Sequence, residues 1–264
     1  MLPQRTLGRT GIRVSALGFG TVKFGRNQGV KYPSPFDLPD DATAANLLAV
    51  AHDLGINLLD TAPAYGSSEA RLGHLLQGQR DRWVICSKVG EEFSDGQSQF
   101  DFSPAHTRIS IERSLQRLHT EVIDIVLVHS SGDDCAIMRD SGVIETLSEL
   151  KREGKIRAVG VSTKTLEGGI RAAECTDAVM VTWNPQHTHE KPVLDAALAH
   201  GCGVLVKKAF ASGHLNGDDA VQHSLDFVFS HPAVSSAIVG TLNEAHLRAN
   251  AAAALRAIAR NAAS

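Results

Sequence analysis

Apolar runs recur along the chain with helix-like segments between them. They lie at residues 15–19, 56–59, 83–87, 123–128, 156–161, 179–182, 204–206 and 236–239. Most are nearly continuous, not alternating, which is the pattern of strands covered on both faces of a parallel sheet. The segments between them carry helix periodicity and end signals. Asp40 and Asp41 precede an apolar pattern through Leu47, Leu48, Ala51 and Leu54, and Gly55 closes it. Residues 67–78 give a short amphipathic helix with Ser67 or Ser68 at its start. Ser103-Pro104 opens another, with Pro in the first turn. Residues 143–151, 166–173, 192–200, 220–229 and 244–250 complete the set, and the Ala-rich stretch beyond favours helix. Eight strands alternating with helices, at roughly 30 residues per unit, predict an α/β fold of the (β/α)8 TIM-barrel type over an open doubly wound sheet. Residues 5–14 read as a β-hairpin capping the barrel floor, and residues 24–40 as a long polar loop. No linker rich in Pro, Gly or Ser divides the chain, so one domain is expected over residues 1–264.

Charge and cysteine usage narrow the function classes. Lys plus Arg is 26 and Asp plus Glu is 29, with no long basic run. Nothing there favours nucleic acid or an anionic membrane as partner. No window supplies the ~20 apolar residues of a membrane span. The start, MLPQRTLGRTGIRV, has no apolar core of a secretory signal. Cys86, Cys135, Cys175 and Cys202 are scattered without C-x-x-C, so reduced thiols in a cytoplasmic protein are expected. His187 and His189 form an H-x-H beside Glu190, with no further cluster near in sequence. A metal site needs three or four convergent ligands. A polar loop and no metal are therefore expected.

In a barrel of this kind the site lies at the C-terminal ends of the strands. Three consecutive runs end in Asp60, Lys88 and His129, and Tyr65 follows the first of them. A free phenol, with a pKa of about 10, is a poor acid near neutrality. A lysine ammonium beside it favours the phenolate, and an aspartate keeps that lysine charged on burial. A histidine on the next strand can hydrogen-bond a substrate oxygen. The set would protonate a carbonyl oxygen while hydride reaches its carbon. Lys207-Lys208, at a strand end before a small-residue loop, suit a phosphate contact.

The segments LLDTAPAYG, SEARLG, SKVG, IDIVLVHS, GKIRAVGVST, TWNP, VLVKKAFASG and IVGTLNEAHLRAN resemble the aldo-keto reductase superfamily, in order and over almost the whole chain. The resemblance implies a TIM barrel that binds NAD(P)(H) without a Rossmann motif. It implies Tyr65 as general acid/base, tuned by Lys88 and Asp60, with His129 orienting the carbonyl. It also implies cofactor contacts from Gly20, Thr21, Ser162, Thr163, Met180, Lys207 and Lys208. Phe210, Ala211, Ser212 and Gly213 match the pyrophosphate loop, and Gly240, Thr241, His246 and Asn250 the segment that reaches the phosphate and adenine. Several positions depart from the family pattern. Thr163 stands for Asn, Met180 for Gln, Lys207 for a stacking aromatic, Gly240-Thr241 for Lys-Ser and His246 for Arg. NADP is the implied cofactor, with NAD left open. Little sequence follows the last helix, so an open pocket is expected, walled by Phe24, Phe93, Trp183 and residues 129–134. The expected partner is a small carbonyl or sugar substrate, in a monomer or weak homo-oligomer. Two other functions remain: a Schiff-base aldolase using Lys88 or Lys207, and a non-catalytic nicotinamide-nucleotide sensor.

Overall fold

The computed structural model describes residues 1–214 and 219–262. The hairpin β1 (Gln4–Thr6) and β2 (Arg13–Ser15) opens the chain. β3 (Leu17–Gly20) leads to the one-turn helix α1 (Val22–Gly25) and, after a long loop, to α2 (Asp41–Asp53). β4 (Leu58–Asp60) is followed by α3 (Ser68–Leu75). Between β5 (Val84–Val89) and α4 (Pro104–Arg117) lies a second hairpin, β6 (Glu91–Ser94) and β7 (Gln97–Phe100). β8 (Ile123–His129) precedes α5 (Asp134–Asp140) and α6 (Val143–Arg152). The remaining units are β9 (Ile156–Ser162) with α7 (Leu166–Cys175), and β10 (Ala178–Thr182) with α8 (Lys191–His200). β11 (Gly203–Lys207) with α9 (Ala220–Ser230), and β12 (Val234–Val239) with α10 (Glu244–Ala262), complete the order.

The strands β3, β4, β5, β8, β9, β10, β11 and β12 pair in parallel and close into a barrel. This is the expected (β/α)8 architecture. Side chains alternate across each strand. Leu58, Cys86, Ile125, Leu127, Ala158, Ala178, Met180 and Leu205 point inward and form one apolar cluster. Leu7, Ile12 and Val14 of the first hairpin join the same cluster, so the hairpin plugs the barrel floor. Residues one step out of phase, such as Leu59, Ile85, Val126, Val128, Val159 and Val179, pack under the helices in a second cluster.

Helix starts follow their sequence signals. The Asp40 carboxylate accepts the Thr43 N–H at 2.8 Å, and the Ser103 hydroxyl accepts the His106 N–H ahead of Pro104. Ser67 and Ser68 depart from expectation. Ser67 caps α3 without a side-chain bond. The Ser68 hydroxyl turns inward, donating to Thr21 O at 3.0 Å and meeting Thr61 Oγ1 at 3.1 Å.

The second hairpin and α5 carry no sequence signal of their own. β7 is polar apart from Phe100 and wholly exposed, and α5 is seven residues long, so neither shows a periodic apolar face. Among the described residues, no helix is long and apolar enough to cross a membrane.

The loop after β3 touches the turn that carries Tyr65. A Cβ on Gly66 would lie 2.2 Å from Gly25 O, and Gly66 has a φ of +61°. The Arg26 guanidinium donates to Ala64 O at 3.0 Å across the same contact. Gly66→Ala combines a left-handed φ with a backbone clash. It should cost at least ~1–3 kcal/mol, lowering Tm by roughly 2–4 °C per kcal/mol for a chain of this size. An unchanged Tm in a thermal melt would show that this contact does not constrain the turn.

Candidate active site

Asp60 ends β4 on the same face as the inward-pointing Leu58. Lys88 stands two residues after inward Cys86, and His129 two after inward Leu127. Strand parity therefore puts all three at the top of the barrel interior. The Lys88 ammonium donates to Asp60 Oδ1 at 2.6 Å and to Thr61 O at 2.9 Å. Both partners are buried, at 1% and 4% exposure. Tyr65 comes in from the short turn Pro63–Tyr65. Its hydroxyl makes a long 3.4 Å hydrogen bond to Asp60 Oδ2, and Lys88 Nζ lies 4.7 Å from its ring centre. The rings of Tyr65 and His129 meet edge to face, with centres 6.4 Å apart. Thus the four groups converge on one mouth of the barrel.

Their electrostatics differ in one respect from expectation. Burial and the Asp60 charge push the Tyr65 phenol up, while Lys88 pulls it down and does not prevail. Burial alone would depress Lys88, but Asp60, Tyr65 and Cys86 together carry it above its ordinary value. The lysine is held as an ammonium, and the phenol as a proton donor.

A residue without a sequence signal stands behind His129. Glu91 Oε2 lies 2.7 Å from His129 Nδ1, and Glu91 Oε1 accepts the Ser98 hydroxyl across the second hairpin at 2.6 Å. Burial would raise Glu91, yet His129, Ser98 and Arg26 hold it down at about 2. The sequence KVGEE identified no partner because the hairpin that aims Glu91 is set by its polar turn.

These groups open into a cleft of about 890 Å³. Lys23, Arg26, Lys31, Lys88, Lys164, Lys207 and Lys208 line it against the carboxylates Asp60, Glu91 and Glu190, so it is net cationic. The cleft also has the backbone of Gly20, Gly213 and Gly240 in its wall.

The profile of the Aldo/keto reductase family matches residues 16–222. The chain belongs to that family. An aldo-keto reductase assignment from Pseudomonas aeruginosa has a solved structure with 57% identity and a TM-score of 0.90, covering 97% of this chain and 96% of that one. An aldo-keto reductase from Bacillus halodurans in its holo form, at 24% identity and TM-score 0.80, shares the fold. An L-galactose dehydrogenase of Arabidopsis thaliana is 37% identical over 168 residues, covering 62% of this chain and 49% of its own. An NADH-specific methylglyoxal reductase of Escherichia coli is 33% identical over 169 residues, covering 59% and 50%. The chain spans about half the length of these last two relatives.

The residues that family resemblance assigns to the cofactor fall into two groups. Gly20, Ser162, Thr163, Met180, Lys207, Lys208, Phe210, Ser212, Gly213 and Gly240 line the cleft. Thr163 Oγ1 is buried there with no partner among the described residues. The Ser162 hydroxyl does have one: Lys207 Nζ donates to it at 2.9 Å and to Thr163 O at 2.6 Å. Lys208, Ala211 and Ser212 take left-handed backbone angles without being glycine. Such strain clusters at ligand clamps, and the Asn184 side chain secures it by donating to Lys208 O at 2.9 Å.

The second group lies outside that lining. Thr21 is fully buried beneath it, its hydroxyl donating to Asp60 O at 2.9 Å. It supports the site and offers no surface to a ligand, which corrects the expectation of a cofactor contact. Ala211 is half-buried in the strained loop. Thr241 sits just ahead of α10, where its hydroxyl accepts the Asn243 N–H at 3.0 Å. His246 is exposed and Asn250 buried, one turn apart on α10.

The three expected aromatic pocket walls are also corrected, since none of Phe24, Phe93 and Trp183 lines the cleft. Phe24 is buried against Phe19, with ring centres 5.6 Å apart. Trp183 is one parity step beyond cleft-lining Thr182 and packs outward on Phe227 at 4.6 Å. Phe93 lies under the Arg26 guanidinium at 3.3 Å, and of residues 129–134 only His129 reaches the cleft.

Removing one partner of the buried pair strands the other charge. Asp60→Ala should lower unfolding free energy by ~3–5 kcal/mol, measured by urea denaturation. A change under ~1 kcal/mol would mean that Lys88 finds water or another partner. Lys207 gives a pH signature. Burial, with Lys208 and Lys88, pushes it down to about 8 against the pull of Glu190 and Asp134. From about 8 up to the ordinary lysine value of 10.5, the folded chain binds fewer protons than the unfolded one. Its penalty on stability is therefore complete below pH 8 and relieved as pH rises through that window. The wild type should gain stability over Lys207→Met between pH 8 and 10, and parallel curves would contradict the depressed amine.

Proposed function

We propose that the chain is an NAD(P)-dependent oxidoreductase. Its reaction interconverts an aldehyde, ketone or sugar hemiacetal with the corresponding alcohol or lactone. The observation that carries this reading is the convergence of Tyr65, Lys88, Asp60 and His129 at the floor of a cationic cleft.

The residues present fit a nicotinamide nucleotide. The unpartnered Thr163 hydroxyl suits the carboxamide. Lys31, Lys208 and the strained loop through Ser212 and Gly213 suit the pyrophosphate. Ser162 fits less simply, because Lys207 holds its hydroxyl. NADP is the preferred cofactor in this reading and NAD the alternative; the seven lysine and arginine side chains of the cleft support either. The bound nicotinamide supplies hydride to the carbonyl carbon, or takes it from the alcohol.

The chain's own groups handle the proton. Tyr65 Oη leaves its long bond to Asp60 and donates to the substrate oxygen as negative charge builds there. The phenolate so formed is met by the Lys88 ammonium, which Asp60 keeps charged. His129 lines the cleft beside the ring of Tyr65 and orients the substrate. Oxidation runs through the same groups in reverse. The substrates in these two relatives' names, L-galactose and methylglyoxal, lie within this range. In the same reading, residues 1–264 act as one domain.

The aldolase reading rests on one observation, the depressed Lys207 amine, pushed down to about 8. Lys88 does not serve it, since its nitrogen is held charged. Borohydride with a carbonyl substrate would trap an adduct on Lys207 in that case and none in the oxidoreductase.

Tyr65→Phe should lower turnover of NADPH with a carbonyl panel by ~10²–10⁴-fold. NADPH binding, followed by fluorescence, should be unchanged. Full turnover in this variant would end the proposed mechanism.

A further inference from the structure

We propose that Lys207 distinguishes the two redox states of the nicotinamide: its ammonium opposes the cationic oxidised ring and accepts the neutral reduced one. This rests on the oxidoreductase reading above and adds to it a preference between the two forms of the cofactor.

Lys207 ends β11 in register with Thr182 of β10, and Met180 of β10 is in register with Ser162 of β9. The lysine side chain nonetheless reaches β9, where Nζ donates to Ser162 Oγ at 2.9 Å and to Thr163 O at 2.6 Å. Its ammonium therefore lies across the barrel mouth, two strands from its own backbone. On the far side of β9 runs β8, whose His129 pairs in register with Ser162. Hydride must reach a carbon whose oxygen meets Tyr65 and His129. The reacting ring therefore belongs in the part of the cleft that Lys88, His129, Ser162 and Lys207 share.

Lys88 is neutralised by Asp60, but no carboxylate among the described residues forms an ion pair with Lys207. Glu190 and Asp134 pull on it from farther away, and Lys208 and Lys88 oppose it. Pushed down to about 8, it still carries its charge at pH 7. An ammonium has three hydrogens to donate, and Ser162 and Thr163 take two. The third suits the carboxamide oxygen, which both redox states possess. The ring is what differs, cationic when oxidised and neutral when reduced. A site shifts an equilibrium only through such a difference. At an effective dielectric of about 20, a like charge roughly 10 Å away weakens binding about tenfold. Only the oxidised form bears that cost. When both forms compete for the cleft, the reduced one is favoured, and with it reduction of the carbonyl.

Titration calorimetry at pH 7 measures Kd for NADPH and NADP⁺, with NADH and NAD⁺ as a second pair. The ratio of oxidised to reduced Kd cancels the adenosine, the phosphates and the carboxamide, which the two forms share. Lys207→Met should lower that ratio about tenfold by tightening the oxidised form, with Lys207→Gln as a second neutral variant. Lys207→Arg, which keeps the charge, should hold the ratio near its wild-type value. An unchanged ratio in the neutral variants overturns the proposal, and so does an equal fall in Lys207→Arg. An equal loss of affinity for both forms overturns it too, since that would make Lys207 a phosphate or structural contact. A wild type that binds neither pair removes the oxidoreductase reading, and this proposal with it.

Discussion

Two opposite charges lie out of water at the mouth of the barrel, Asp60 and Lys88, 2.6 Å apart. Neither is tolerable there alone, because a lone buried ion loses several kcal/mol of hydration. Together, with Thr61 O taking a second ammonium hydrogen, they are nearly satisfied. Everything proposed for the site depends on this pair. It keeps Lys88 cationic in a place where burial would strip its proton. It gives the Tyr65 hydroxyl an acceptor, Asp60 Oδ2, at 3.4 Å. The same pair explains why Tyr65 is a stubborn acid at rest: the anion that charges the lysine also opposes the phenolate.

The barrel supplies the meeting point through parity. Asp60 pairs in register with Gly20 and Cys86, Lys88 with Leu127, and His129 with Ser162. Each polar strand end is two residues beyond an inward-facing residue of the same strand, so it inherits the inward direction and emerges just above the apolar core. Below, the first hairpin closes the floor with Leu7, Ile12 and Val14. Water is therefore excluded beneath the charges, and the cleft above is the open side.

Loops then furnish what the strands do not. The segment after β3 contributes Lys23, Arg26 and Lys31, and the β6–β7 hairpin contributes Glu91 and Ser98. Arg26 ties these together: it donates to Ala64 O beside Tyr65, stacks on Phe93, and lies near Glu91. The cleft is a mixed surface, cationic where an extended anion would lie and fitted with a carboxylate–imidazole pair where a small substrate would lie.

Local pattern was enough for the barrel strands, the floor hairpin and the polar strand ends, because burial on both faces leaves continuous apolar runs and each run must stop where water begins. Asp60, Lys88 and His129 were legible for that reason, and Tyr65 from the family motif around it. Trp183 and Phe24 misled because an aromatic near a strand end can face either way, and only phase relative to Thr182 or packing on Phe19 decides. Thr21 misled likewise, since its neighbours Asp60 and Ser68 are distant in sequence. The placement of Glu91 on His129, the capture of Ser162 by Lys207 and the net direction of the Tyr65 proton affinity were settled only by the folded chain. The physical reason is common to all three. Covalent order determines which groups stand at the strand ends, whereas distances between charges, and the water removed around them, arise only when the sheet closes.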